Sequence, residues 1–468
     1  MYSVLKQDQK QIQQILEEVT KQAQIIFSGF DERAAGILLP AIEISDKLNQ
    51  EGIGAIGALA EFQKNFGDTM SGSAAPNYYG FVTGGSTPAA VAGDWLTSIY
   101  DQNVMGSNET LASDFEVATL HMLRSLFRLT DEFEGSFVSG ATMSNFTSLA
   151  IARQWLGRQL GVNIAEQGVN ALADIKLFSA TPHSSIYKSL SMLGIGKNAL
   201  ELVPTLENRE AINIDELEKA LEAYLGPCIV IANAGTVNSV DFDNLVGINK
   251  LKKKYKFWLH VDAAFGGFAA CSEQYRHLLD GLNNADSITI DAHKWLNVPY
   301  DSAMQFSRHL ELQTEVFQNS AAYLRQDLST NNFINITPEN SRRFRALPAW
   351  FTLKAYGSSG YEEMVNRACE VAAWIADKME QHQYFDLLSP QKLNGVCFTV
   401  IKNGQYLQQE EINQAILILQ RSGDIYLTPT VYKGNPALRF SVSNWSTEIT
   451  HAHKAWLALE SMSNVLQS

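Results

Sequence analysis

The chain has 468 residues, 46% hydrophobic and 18% charged, enough for two or three units that each bury a core. A net charge of −14 argues against nucleic-acid partners, which need a basic footprint. No apolar run reaches membrane-spanning length, residues 1–6 lack a signal-peptide core, and Cys228, Cys271, Cys369 and Cys397 show neither CxxC nor Cys/His spacing, so the expectation is a cytoplasmic protein with no membrane partner, disulfide framework or metal.

In the first 27 residues Ile12, Leu16, Val19, Ala23 and Ile26 share one face of a predicted helix, and such a face must dock on something, for instance a second subunit. Residues 75–87 are rich in Gly, Pro, Tyr and Ser and predict a loop built for close backbone approach. From about 135 to 310, apolar strands predicted at 136–139, 175–179, 200–203, 228–233, 258–261, 287–290 and 303–306 alternate with helical stretches such as 143–160 and 214–225. That alternation is the signature of a parallel sheet with right-handed crossovers. The basic cluster at 250–256 reads as the solvated end of a helix. After 345, predicted helices at 350–356, 362–379 and 448–465 accompany strands at 395–401 and 438–442, which suggests a smaller α+β unit.

Ligands in open α/β sheets sit outside the carboxyl ends of strands, and those ends carry Thr142, His183, Thr236, Asp262 and Lys294. Most lysines are solvent-exposed, but Lys294 follows the β-branched run 287–290 and lies between His293 and Trp295-Leu296. A rigid perch beside an imidazole suits a lysine that condenses with an aldehyde. Asp262 is the residue type that holds a pyridinium nitrogen protonated, and equally one that caps a turn. The flanking Ala263-Ala264 favours the first reading, because a flat ring needs a small side chain beneath it. The turn Ser139-Gly140-Ala141-Thr142-Met143-Ser144-Asn145 between strand and helix offers backbone N–H groups to a phosphate, or an ordinary N-cap at Ser144. His183 is either a ring-stacking residue or a satisfied loop histidine, and Thr236 is ambiguous by itself. The set points to pyridoxal 5'-phosphate.

These segments resemble the group II pyridoxal-phosphate-dependent amino acid decarboxylases, the family acting on aromatic L-amino acids, glutamate, cysteine sulfinate and diaminobutyrate. The resemblance runs from roughly residue 50 to the end and is most specific in His260-Val261-Asp262-Ala263-Ala264, His293-Lys294-Trp295-Leu296 and Ser341-Arg342-Arg343-Phe344-Arg345. It implies the aspartate-aminotransferase (type I) α/β fold, with residues 1–85 packing on a partner subunit, 86–345 as the large cofactor-binding domain and 346–468 as a small α+β domain. It also implies a homodimer with shared active sites and a Schiff base on Lys294. By position, Asp262 would face the pyridine nitrogen, His183 would stack on one ring face and Ala264 cover the other. Thr142 and Met143 would hold the phosphate through backbone amides, His293 would lie beside the Schiff base and Thr236 near the cofactor, while Phe81 and Thr83 match positions that contact substrate.

Two departures stand out. The family's mobile loop supplies a tyrosine that protonates the substrate carbon, and counting back without gaps from Arg342-Arg343-Phe344-Arg345 lands on Phe333, which has no proton to give. Family members with this exchange can become aldehyde synthases; a shifted alignment, with Tyr323 or a water serving instead, is the simpler account. The second is Asp291, where relatives often carry Asn near the phosphate. The expected activity is decarboxylation of an L-amino acid to amine and CO2. Pro182-His183-Ser184-Ser185 is similar to the aromatic branch, and Thr83-Gly84-Gly85-Ser86-Thr87 departs from it. An aromatic substrate is preferred over glutamate or another polar amino acid, since no basic residue near Phe81 announces a carboxylate pocket. An aldehyde synthase and a catalytically silent scaffold are the alternatives.

Overall fold

The computed structural model describes residues 1–38, 43–106, 110–172, 174–319 and 332–467. Its main sheet contains β1 (Glu134–Val138), β2 (Leu177–Ser179), β3 (Leu200–Leu202), β4 (Cys228–Asn233), β5 (Phe257–Asp262), β6 (Ser287–Ile290) and β7 (Ala303–Ser307), in the spatial order β1-β7-β6-β5-β4-β2-β3. Only β7 among these runs against its neighbours; β6, β5, β4, β2 and β3 pair in parallel.

The β4 and β5 sequences are apolar at nearly every position because both faces of the sheet are covered. Alternate residues feed two cores. Ile229, Ile231 and Trp258 pack with the helices Ala141–Gln159 and Ser184–Met192, whereas Val230, Ala232, Leu259 and Val261 join the larger core. The same period of two puts Trp258, His260 and Asp262 on one face of β5.

A second sheet combines β8 (Phe385–Leu387), β9 (Gly395–Lys402), β10 (Gln405–Tyr406), β11 (Thr428–Tyr432) and β12 (Asn435–Ser441), all antiparallel. Its Phe398 and Phe440 belong to the same core as Phe137 and Val261 of the main sheet. The helices predicted at 350–356 and 362–379 are joined into Ala346–Glu380, bent where Gly357 takes φ 59°, a conformation glycine adopts without steric cost. The N-terminal helices Ser3–Lys10, Ile12–Ser28 and Gly54–Phe66 bury no residue fully, and Leu5, Ile12, Leu16 and Ile25 are exposed. Among the described residues no helix is long and apolar enough to cross a membrane.

Candidate active site

The strand ends meet level. Asp262 pairs in register with Asn233 of β4 and with Thr289 of β6, so β4, β5 and β6 finish on one edge. The helix Ala141–Gln159 starts two residues earlier than the sequence predicts. Ser144, the alternative cap, lies inside its first turn, where its hydroxyl reaches Thr289 Oγ1 at 2.8 Å and donates to the Met304 carbonyl at 3.0 Å. This pins the N-terminus of the helix to β6 and β7; the Ser144 N–H already bonds the Gly140 carbonyl, and the N–H groups of residues 141–143 before it have no intrahelical acceptor.

A cavity of about 370 Å³ opens at this edge, within the range that holds small ligands. Of the residues singled out from sequence, Phe81, His183, Thr236, Asp262, Ala264 and Lys294 line it. Thr83, Thr142, Met143 and His293 do not. Thr83 Oγ1 lies 3.4 Å from the Tyr300 hydroxyl, and the Tyr300 ring lies tilted by 30° against His293 with centroids 4.1 Å apart. A Cβ at Gly140 would sit 3.3 Å from His293 Cε1, so His293 borders the turn that holds Thr142 and Met143.

Lys294 stands on the one-turn helix Ala292–Trp295 directly after β6. Its Nζ is 3.5 Å from Asp291 Oδ2 and 5.7 Å from the centroid of the Phe265 ring. Asp291 also comes within 3.2 Å of His293 Nε2 through Oδ1, and its backbone N–H is taken by the Ala264 carbonyl. The acid that departs from the family pattern is thus turned to the lysine and imidazole. The Gly-rich loop presses on the same segment: a Cβ at Gly84 would lie 1.6 Å from the Lys294 carbonyl oxygen, the close backbone approach its composition predicts. Phe81 and Val82 beside it both take φ near 56° (55° and 57°), a strained conformation for non-glycine residues and above all for a β-branched one.

Asp262 accepts from Asn145 Nδ2 at 3.0 Å and from the Ala264 N–H at 3.2 Å. His183 caps the helix Ser184–Met192, its Nδ1 accepting from the Ser185 N–H. Burial holds the His183 imidazole below its usual pKa; the nearby charges of Lys294 and Arg439 act in the same direction, against Asp262 and Asp291. Thr236 donates its hydroxyl to Glu210 Oε2 at 2.5 Å, so that hydroxyl is engaged by the protein itself.

Sequence reasoning missed several groups. Arg439, on β12, lines the cavity, which corrects the reading that no basic residue approaches Phe81. One of its guanidinium nitrogens donates to the Val237 carbonyl at 2.7 Å, and its buried Nε has no acceptor among the described residues. Nothing local announces it, because 358 residues separate it from Phe81 in the chain (439 − 81). In the sequence Asn145 reads only as the end of the turn that begins at Ser139. The alternation Trp258-x-His260-x-Asp262 on one strand face was its available signal.

Phe333 also requires correction. It lies in the short turn Phe333–Asn335, fully buried, with its ring 4.5 Å from the Arg342 guanidinium. It is a core residue under the Arg-rich block and does not line this chain's cavity. Tyr323, which the sequence offers as the alternative proton donor, lies outside the described residues.

The family described as "Pyridoxal-dependent decarboxylase conserved domain" matches residues 55–401. The chain belongs to this family. An aromatic-L-amino-acid decarboxylase from Bacillus atrophaeus is 30% identical to this decarboxylase over 339 residues, covering 70% of this chain and 68% of the relative. A phenylacetaldehyde synthase from Petunia hybrida is 26% identical over 410 residues, covering 81% and 79%. Among solved structures, Oryza sativa TDC with PLP and tryptamine superposes with a TM-score of 0.90 at 21% identity, covering 98% of this chain and 99% of that one. The decarboxylase is a pyridoxal-phosphate-dependent enzyme acting on amino acids, and its site fits that cofactor. A primary amine, an acceptor carboxylate held by two N–H donors, a small Ala264 and an imidazole share one cavity of suitable volume.

Proposed function

We propose that the enzyme decarboxylates an L-amino acid with an aromatic side chain, releasing the amine and CO2, and that it works as a homodimer. The observation that carries the reading is that Lys294, Asp262, His183 and Ala264 open onto one cavity whose remaining wall includes Phe81, Val82 and Phe265. Bound pyridoxal phosphate supplies an electron sink for the pair released when the Cα–carboxylate bond breaks. Lys294 Nζ would be the nucleophile toward the cofactor aldehyde. Asp262 would hold the proton on the pyridine nitrogen, with His183 and Ala264 as the residues on the two ring faces. Backbone N–H groups of Thr142 and Met143, at a helix start, would hold the phosphate, with His293 beside them. Thr236 would border the cofactor, and Phe81 and Thr83 would meet the substrate. The exposed apolar residues of the helices Ser3–Lys10 and Ile12–Ser28 support a subunit contact there.

A second reading, an acidic amino acid whose side-chain carboxylate meets Arg439, is favoured by that one cation and its unpartnered Nε. A panel of L-amino acids assayed for CO2, amine, aldehyde and hydrogen peroxide tests both. Stoichiometric amine from tyrosine, tryptophan or phenylalanine is the expected result. Peroxide and aldehyde in place of amine would make the enzyme an aldehyde synthase, and no turnover with any member would favour the silent scaffold. In Arg439→Ala, a loss confined to acidic substrates would assign Arg439 to the side-chain carboxylate, and an equal loss for all would assign it to the α-carboxylate.

A further inference from the structure

Asp262 and His183 are linked by a buried chain of hydrogen bonds that none of the roles above explains. Trp258 Nε1 donates to Ser287 Oγ at 3.0 Å, and an indole N–H can do nothing else. The same hydroxyl lies 2.9 Å from His260 Nδ1. His260 Nε2 lies 2.9 Å from Asn145 Oδ1. The Asn145 amide nitrogen reaches Asp262 Oδ2 at 3.0 Å and Ser185 Oγ at 3.1 Å, and the Ser185 hydroxyl lies 2.8 Å from His183 Nδ1. Trp258, His260 and Asn145 are fully buried, as is Ser287.

We propose that Asn145 is a positioning residue that gives this chain one direction, so that Asp262 meets the cofactor as an oriented acceptor and His183 meets the cavity as a donor through Nε2–H. The inference rests on the cofactor reading for the roles of Asp262 and His183, but the direction follows from the protein alone. An ionised Asp262 can only accept, so the nitrogen of Asn145 must face it; the flipped amide would set two acceptor oxygens 3.0 Å apart. With Oδ1 then turned to His260, His260 must carry its proton on Nε2. Its bare Nδ1 takes the Ser287 proton, leaving the Ser287 oxygen to receive the Trp258 N–H. The flip would instead make Ser287 accept from both neighbours and leave its own proton unused. The two ends of the chain, a donor-only indole and an acceptor-only carboxylate, therefore demand the same orientation.

Toward the cavity, the second hydrogen of the Asn145 amide goes to Ser185 Oγ, so the Ser185 proton goes to His183 Nδ1. That nitrogen also receives the Ser185 N–H at 3.3 Å. Both bonds fill the acceptor side of the ring, and a neutral His183 keeps its hydrogen on Nε2. Burial of the His183 and His260 imidazoles, which lowers the proton affinity of each, agrees with neutral rings. In consequence His183 is no base toward ligands at neutral pH: an atom against its Nε2 must be an acceptor, as a carboxylate oxygen is.

The test uses full-length protein carrying ¹⁵N-histidine, examined by long-range ¹H–¹⁵N correlation near pH 7 before and after adding pyridoxal phosphate, with His183→Gln and His260→Gln assigning the two signals. Before addition, both histidines are expected with a bare Nδ1 and a protonated Nε2. Asn145→Leu should mix the tautomers of both and weaken pyridoxal phosphate binding by about tenfold or more, one lost charge-assisted hydrogen bond. Ser185→Ala removes the hydroxyl donor and keeps the backbone N–H donor, so it should move the His183 Nδ1 resonance without changing the tautomer and leave His260 unchanged, and it decides the matter if Asn145→Leu fails to fold. A proton on Nδ1 of His183 in the parent protein, an undisturbed His183 in Ser185→Ala, or undisturbed histidines or cofactor affinity in folded Asn145→Leu would each overturn the proposal. Absence of any cofactor absorbance change in a parent protein with the expected tautomers would instead sink the cofactor reading and leave the hydrogen-bond direction standing.

Discussion

Lys294 and Arg342 are cations within one fold, and their surroundings are opposites. Arg342 and its partner Glu116 have no exposed side-chain surface. The guanidinium donates twice to Glu116, at 2.6 and 3.1 Å, and to the carbonyls of Val104 and Phe137, at 3.1 and 2.6 Å, over the ring of Phe333. Glu116 in turn accepts the Phe137 N–H at 2.9 Å. Lys294 keeps 20% of its side chain exposed and has a carboxylate at 3.5 Å and a ring at 5.7 Å. A buried charge with nearly every direction satisfied is a clamp that joins segments, here the 104, 116 and 137 regions, and it cannot be spared for anything else. A lysine with loose partners at a cavity wall costs little to hold, and its amine, once it gives up its proton, is free to react.

The largest effect that would sharpen this contrast is expected at Lys294. Lys294→Ala should lower kcat by on the order of 10⁴-fold, as for other essential nucleophiles, while the unfolding free energy stays within about 0.5 kcal/mol of the parent, as for a residue with no strong structural partner. A large stability loss with surviving turnover would break the comparison. Next comes Arg342→Met, which strands Glu116 and should cost about 3–5 kcal/mol in urea unfolding. Pairing it with Glu116→Leu should return about half of that loss, because the stranded charge is gone although the Val104 and Phe137 backbone groups stay unpaired.

The smallest effect concerns a buried group kept neutral. Burial pushes the His260 pKa down to about 4, below the ordinary value near 6.5 that the unfolded chain shows. The unfolded state therefore binds the proton first, and this contribution to stability is complete above pH 6.5 and is lost as pH falls from about 6.5 to about 4. Unfolding free energies across that window should fall more steeply with falling pH for the parent than for His260→Gln, by up to about 1.4 kcal/mol per pH unit. Equal slopes would mean that His260 carries no such shift.

Much of the main sheet was legible in the residues. β4 and β6 match their predicted spans: β4 is an apolar run, as a strand buried on both faces requires, and β6 is a β-branched-rich run, Ser-Ile-Thr-Ile, of high strand propensity. The early start of the helix Ala141–Gln159 was not legible, since Ser144 has the chemistry of a cap and only the proximity of Thr289 and Met304 diverts its hydroxyl. Phe333 shows the same limit in another form. A position count cannot tell a loop phenylalanine from one under a guanidinium, because burial depends on Arg342 and on what surrounds it.

The amino-acid sequence by itself determined the order of strands and helices, the family, and the strand-end residues Asp262, Ala264, His183 and Lys294 that line one cavity. Those follow from periodicity and from motifs contiguous in the chain. Only the tertiary structure decided that Arg439 joins Phe81, that Asp291 turns to Lys294, and that Asn145 bridges β5 to His183. Each of these is a meeting of polar groups brought together by packing, and hydrogen bonds and ion pairs have a reach of only about 3–4 Å, which spacing along the chain does not encode.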